Sequence, residues 1–448
     1  MPAEFGGSDF PGLISNPEDE CVHSPSLKRQ TGRKTPTLAN EVAKLLSPRA
    51  HADDALMNRV FARLRQLSPV HWVEVPGVKP FWAVTRHADI LSVEHRSEEF
   101  GAEPRTYLSS EAMDFALRQV SGKPQVARGL TEMDDPDHRR YRAILQRSFT
   151  PVALRPLEEW VRDRARAAVD AIAGRGGLCD FATEVAMPYT MRVIAHMLGF
   201  PEADDAELIR LVHGFVGAED PQRRLADQPA EAMRLAMIGL RDYIEAAVAA
   251  RRSCPRQDLA SLIGAAKIEG QDIPHYEMIS YFYLMLTGGH DTVALALAGG
   301  LHALLTCPEQ LVRLRQKPEL LDRAIDEMFR WTSPLRHFMR TARQDTEVGG
   351  QQIRAGEALA LFFGSANRDE TVFADADSFR IDRFPNPHIA FGDGPHFCMG
   401  HHLARMEMHA LFAELLRRTK HIELAGRPRR AHSTFITGVV SLPIRCTF

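Results

Sequence analysis

"FGDGPHFCMG", residues 391–400, places a single cysteine, Cys398, among glycines at 392, 394 and 400, seven residues after the aromatic Phe391. The segment behind it, "HHLARMEMHALFAELLRR" (401–418), reads as a helix. Glycines permit tight, backbone-close geometry. A helix that begins near residue 400 turns its free N–H groups and positive end toward the sulfur, which favours a thiolate. With no second cysteine nearby, the sulfur makes a poor zinc site and a good single axial ligand. A lone cysteine is usually an inert packing residue. The flanking pattern here favours a ligand.

The other cysteines, at 21, 179, 254, 307 and 446, are scattered and form no CxxC. A disulfide framework or zinc site is not expected, and a reducing compartment fits. The 448-residue chain is 44% hydrophobic and 25% charged, with a formal net charge of −3. That is a soluble, globular composition with no pull toward nucleic acid. The opening "MPAEFGGSDFPGLISNPEDE" has neither a basic n-region nor an apolar h-region. A cytoplasmic protein without a membrane anchor is expected. "YFYLMLTGGHDTVALALAGGLHALL" (281–305) is long enough to span a bilayer, yet it carries His290, Asp291 and His302. A buried core helix is the expectation.

Residues 1–45, rich in Pro, Ser and charge, read as a mobile tail, and 46–448 as one domain. A helix follows from about residue 53, and "VHWVEV" and "FWAVT" flank "PGVKP" as a hairpin. "RHADILSVEH" reads as a helix and 101–130 as irregular. Helical periods dominate to residue 330, interrupted by the polar stretch 217–231, long enough for a mobile lid. After Ser333–Pro334, short strands with glycine turns appear. The fold class is mainly α with a smaller β portion.

Three further motifs each have an ordinary structural reading. Glu327 and Arg330 in "EMFR" share a helix face, as surface ion pairs commonly do. In "TGGHDT" (287–292) the two glycines permit a local widening of the helix. Asp291 can be satisfied there by an arginine, and Thr292 by its own helix carbonyl. His138 and Arg142 lie four apart in "DPDHRRYR", Arg340 lies in "MRTA" and His396 just before the cysteine. Each base alone is an ordinary surface group.

Taken together and in order, these stretches resemble the cytochromes P-450 over about residues 50 to 448. Phe391, Gly394, Cys398 and Gly400 fall on the family's haem-loop positions. The resemblance implies a P-450 fold, with a long central helix over haem b and Cys398 as the proximal iron ligand. It implies that the N–H groups of Met399 and Gly400 tune the sulfur, with Phe391 and Gly392 beside it. Glu327, Arg330 and Arg383 become a buried structural cluster. His138, Arg142, Arg340 and His396 become partners of the haem propionates. Asp291 and Thr292 become an acid–alcohol pair for proton delivery, with Gly288 where alanine is commoner. The implied activity is O2-dependent monooxygenation (hydroxylation or epoxidation), with electrons from NAD(P)H through a separate ferredoxin and reductase. Arg139, Arg140 and Arg405 are candidates for a ferredoxin-docking patch. A peroxide-driven peroxygenase or a non-catalytic haem protein would not need Asp291 and Thr292. Leu284, Gly288, Leu335, Phe338, Phe435 and Ile436 are candidate pocket residues. They suit a hydrophobic polyketide-, terpenoid- or steroid-like substrate, as in secondary metabolism.

Overall fold

The computed structural model describes residues 38–122 and 127–448. Its axis is the helix His275–Thr306, 32 residues long and buried over most of its length. Around it pack Met187–Met197, Asp205–Val216, Pro229–Ser253, Leu321–Thr332 and the helix His401–Arg418. Their apolar faces form one continuous core that includes Leu286, Leu297, Met328 and Phe412. The helical period of the sequence therefore reports true core faces. Among the described residues, no single helix is long and apolar enough to cross a membrane.

The smaller β portion comprises a five-stranded sheet, a three-stranded sheet of His421–Leu424, Pro443–Thr447 and Leu178–Asp180, and three two-stranded ribbons. The five strands of the largest sheet are ordered Val70–Val75, Val78–Val84, Ala358–Phe362, His337–Ala342 and Phe100–Gly101. The first two form the expected hairpin, but the turn is tighter than "PGVKP" suggests. Val75 pairs with Val78, leaving only Pro76 and Gly77 between the strands. Gly77 takes φ +80°, which a side chain would resist.

Four expectations change. Residues 38–45 are not tail: Leu38–Val42 and Ala43–Leu46 are helical. Val42 and Leu45 are buried in the cluster that holds Phe61, Phe81 and Phe362. The rest of the expected tail, 1–37 with Cys21, lies outside the described residues. The stretch 101–130, read as irregular, contains the helix Glu111–Ser121. Ser110 caps it by accepting the Met113 N–H at 3.2 Å, and Gly122 ends it at φ +63°. Those two residues are the signal missed; Phe115, 66% exposed, blurs the apolar period. Third, the central helix runs unbroken through Gly288 and Gly289. A Cβ on Gly289 would sit 2.9 Å from Ile194, so this glycine serves helix–helix approach rather than widening. Fourth, the polar stretch 217–231 is not a free lid, and its last three residues already belong to the helix Pro229–Ser253. Glu219 accepts from the Thr434 N–H at 2.7 Å, Asp220 pairs with Arg429 at 2.8 Å, and Arg223 with Asp291 at 2.5 Å.

Three buried histidines are neutral. His51 Nε2 lies 2.9 Å from the Leu45 carbonyl, His290 Nδ1 2.9 Å from Thr190 Oγ1, and His337 Nε2 accepts the Leu108 N–H at 3.0 Å. Burial lowers each to about 3. A folded-state pKa depressed below the unfolded value near 6.5 means full stability above pH 6.5 and a loss as pH falls below it. Each ring then contributes a slope of up to about 1.4 kcal/mol per pH unit. Urea midpoints should fall from pH 6.5 downward. His337→Gln, which removes one titrating ring, should make that fall shallower; an unchanged slope would mean the ring is charged in the fold.

Candidate active site

Cys398 is positioned by the loop before it and the helix behind it. Its N–H donates to the Phe391 carbonyl at 2.9 Å, which closes the loop on itself. Gly392 and Gly394, at φ +70° and +62°, make the turns that this closure needs. Phe391 packs 4.6 Å from Phe329, and the Arg405 guanidinium lies 4.6 Å over its ring. Burial pushes the Cys398 thiol up. The amides of Gly400 and His401 and the charges of Arg142 and Arg405 pull it down, but only in part. The amides of Gly400 and His401 both favour the thiolate, the direction expected from the helix behind the loop.

The sulfur opens onto a cavity of about 900 Å³. Phe391, Gly392, Met399 and Gly400 line one wall, and Leu284, Gly288, Asp291 and Thr292 of the central helix line it as well. Leu335, Phe338, Phe435 and Ile436 complete the expected apolar lining, and all four border the cavity. Phe338 and Phe435 pack 5.8 Å apart, with the Tyr107 ring 5.0 Å from Phe435. Tyr107, Thr131 and Glu132 form a polar spot that sequence reading did not find. Tyr107 Oη donates to Glu132, and Thr131 Oγ1 does so at 2.8 Å. No short motif marks these residues; Thr131 and Glu132 are neighbours in sequence, and the fold brings Tyr107 to them.

The four predicted bases also meet on this cavity. The His138 and His396 rings lie 4.2 Å apart. Arg142 Nη2 donates to the Phe397 carbonyl at 2.7 Å, and Arg340 Nη2 pairs with Glu94 at 3.0 Å. Glu94 is buried and was not anticipated. Burial, then Arg340 and His138, hold His396 well below its usual range; burial and Arg142 lower His138. His138 Nε2 is buried with no hydrogen-bond partner.

Asp291 and Thr292 adopt the local structure that their sequence permits in isolation. Thr292 Oγ1 donates to the Gly288 carbonyl at 2.9 Å. Asp291 accepts from Arg223 Nη2 at 2.5 Å, with His213 Nε2 at 3.3 Å. Burial pushes the carboxyl up, but Arg223 and His213 outweigh it and hold Asp291 well below the usual carboxylate range. The expected proton-passing acid is thus clamped in its ionised form. The three arginines of the expected docking patch are all paired: Arg139 with Asp135 at 3.1 Å, Arg140 with Glu269 at 2.7 Å, and Arg405 with Asp326 at 2.9 Å.

Behind the loop, Glu327 and Arg330 are fully buried and joined by two bonds of 2.7 Å, with Arg383 Nε at 3.0 Å from the same carboxylate. This is the core cluster expected from the resemblance, not a surface pair.

The sequence pattern of the family described as Cytochrome P450 matches residues 236–445. Cytochrome P450-terp from Pseudomonas sp is 37% identical over 421 residues, covering 92% of this chain and 98% of that one. The chain belongs to the cytochrome P450 family. A linalool 8-monooxygenase from Pseudomonas putida is 34% identical over 389 residues, covering 86% of this chain and 94% of that one. Among solved structures, CYP108D1 from Novosphingobium aromaticivorans superimposes with a TM-score of 0.85. It is 32% identical and covers 92% of this chain and all of that one. The protein is a P450 monooxygenase, with the haem, O2 and hydrophobic substrate that the family implies. Its residues fit that cofactor. A half-buried cysteine lines the cavity, and a buried imidazole nitrogen of His138 lacks a partner beside two arginines.

Proposed function

We propose that this P450 holds haem b on Cys398, with His138, Arg142, Arg340 and His396 neutralising its two propionates. Phe391, Gly392, Met399 and Gly400 form the bed. The substrate is an apolar, terpenoid-like molecule, hydroxylated or epoxidised, with polyketide- and steroid-like compounds as wider candidates. Electrons come from NAD(P)H through a separate ferredoxin and reductase, in the cytoplasm. The observation that carries this proposal is that one cavity joins the Cys398 sulfur, the Thr292 hydroxyl and an apolar wall. The names of the terpene-linked relatives support the substrate class. When bound, haem supplies O2 activation and oxygen transfer.

The chain's own residues do the rest. Leu335, Phe338 and Phe435 exclude water and hold the skeleton by contact. Thr292 holds a proton donor at the cavity, and Asp291 is the next station outward when Arg223 releases it. Thr292→Ala should keep haem, substrate binding and O2 consumption, yet lose most product, with hydrogen peroxide formed instead. The measurement is product per NAD(P)H with peroxide quantified; coupling equal to wild type would remove Thr292 from the proton path. A terpenoid library scored by the haem-band shift on water displacement tests the substrate class. Shifts confined to non-terpenoid ligands would overturn it.

A further inference from the structure

Asp291 lines the cavity but is only 1% exposed, so a proton that reaches it from the far side, away from the cavity, comes through a neighbour. Three groups are candidates. Arg223 touches the carboxylate but cannot release its proton at any working pH. His290 is fully buried: Nδ1 lies 2.9 Å from Thr190 Oγ1 and Nε2 lies 3.4 Å from His213 Nε2, so it reaches solvent only through His213. His213 alone combines contact with an outlet: Nε2 is 3.3 Å from Asp291 Oδ1, and 14% of the side chain is exposed. It stands in the last turn of Asp205–Val216, beside the loop that carries Arg223.

Resting on the reading that Asp291 and Thr292 handle protons, we infer that His213 is the entry point of this path. It is a positioning residue that carries solvent protons to Asp291. The transfer balances simply. With Arg223 released from Oδ1, the imidazole takes a proton from solvent hydronium on Nδ1 and gives the proton on Nε2 to Asp291 Oδ1, which leaves a neutral ring of the other tautomer that resets by turning over. Asp291 passes its proton toward Thr292 and is again ionised, the form that Arg223 stabilises. The groups that face His213 are Asp291 and His290 from the central helix, with His290 Nε2 3.4 Å from His213 Nε2, and Arg223 and Asp220 from the loop. Burial and Arg223 lower its pKa against the pull of Asp291. The resting ring is therefore neutral near pH 7, as a carrier needs. His213, His290 and Asp291 also lie within 4.8 Å of one another, a spacing open to a metal ion. The Arg223 guanidinium on the same carboxylate opposes a dication there.

The test uses the holoenzyme with its electron supply, comparing His213→Gln, Asp291→Asn and the double variant. His213→Gln should keep haem content and substrate affinity, keep product per NAD(P)H, and slow kcat by roughly tenfold or more. The kcat–pH profile should lose the limb set by the imidazole, and the double variant should be no slower than Asp291→Asn alone. A second readout needs no turnover. The NMR titration midpoint of His213 in the resting protein should fall in Asp291→Asn, because the carboxylate no longer favours the charged ring. Wild-type rate and pH profile in His213→Gln beside a slow Asp291→Asn would overturn His213 and leave the Asp291–Thr292 path standing. If Asp291→Asn is itself as fast as wild type, the path falls first. Parallel loss of haem and substrate affinity in His213→Gln would make the residue structural only.

Discussion

Cys398→Ala should abolish the carbon monoxide difference spectrum of thiolate-ligated haem. Among the described residues Cys398 is the only cysteine that lines the cavity; Cys179 and Cys446 are buried in the three-stranded sheet, Cys307 lies between the helices His275–Thr306 and Pro308–Gln316, and Cys254 is exposed. The substituted loop keeps its turns, because they depend on Gly392, Gly394 and a backbone bond rather than on sulfur. The variant should therefore fold and lose its ligand, not its shape. Cys398→His offers nitrogen in place of sulfur and should give an imidazole-type spectrum with little oxygenation. A thiolate spectrum that survives Cys398→Ala would overturn the ligand assignment.

Glu327→Ala should yield unstable or haem-free protein. The carboxylate accepts from Arg330 twice at 2.7 Å, from Arg383 at 3.0 Å, from the Arg380 N–H at 2.9 Å and from Asn386 at 3.3 Å. Its removal strands two buried guanidiniums. Breaking a buried pair costs about 3–5 kcal/mol, against a total stability of order 5–15 kcal/mol. Glu327→Gln, which keeps the shape but not the charge, should fall between. A soluble, fully haem-loaded Glu327→Ala with wild-type urea midpoint would show that the arginines find other partners.

What the sequence made legible follows how local each feature is. The helix His401–Arg418 and the Cys398 loop are written in contiguous residues, so both were readable. The cluster of Glu327, Arg330 and Arg383 joins a short spacing to a residue 53 positions on; the resemblance supplied that link, and the structure shows the burial that spacing cannot. Asp291 was readable as a buried polar residue, but not its partners. Arg223 and His213 come from a loop and a helix some 70 residues earlier, and only the packing of Asp205–Val216 against the central helix brings them close. Glu94 and Glu132 were invisible for the same reason. The helix Glu111–Ser121 was overlooked although its caps were local, because one face carries an exposed phenylalanine.

Residues 367–390 contain neither helix nor strand, yet Asn367, Phe373, Ala376 and Ile381 are buried. Arg330 Nη1 donates to the carbonyls of Asn367 and Ala376, and Nη2 to that of Ser378; Arg383 adds Ala374, Asp375 and Ser378 again. Two side chains thus do for this segment what a neighbouring strand does elsewhere: they take up its main-chain acceptors away from water. Surface connections ordinarily absorb insertions, but here each carbonyl is assigned to a fixed point on a planar donor. One added residue would shift every later carbonyl off its donor, so this coil should be as intolerant of length change as the centre of a sheet.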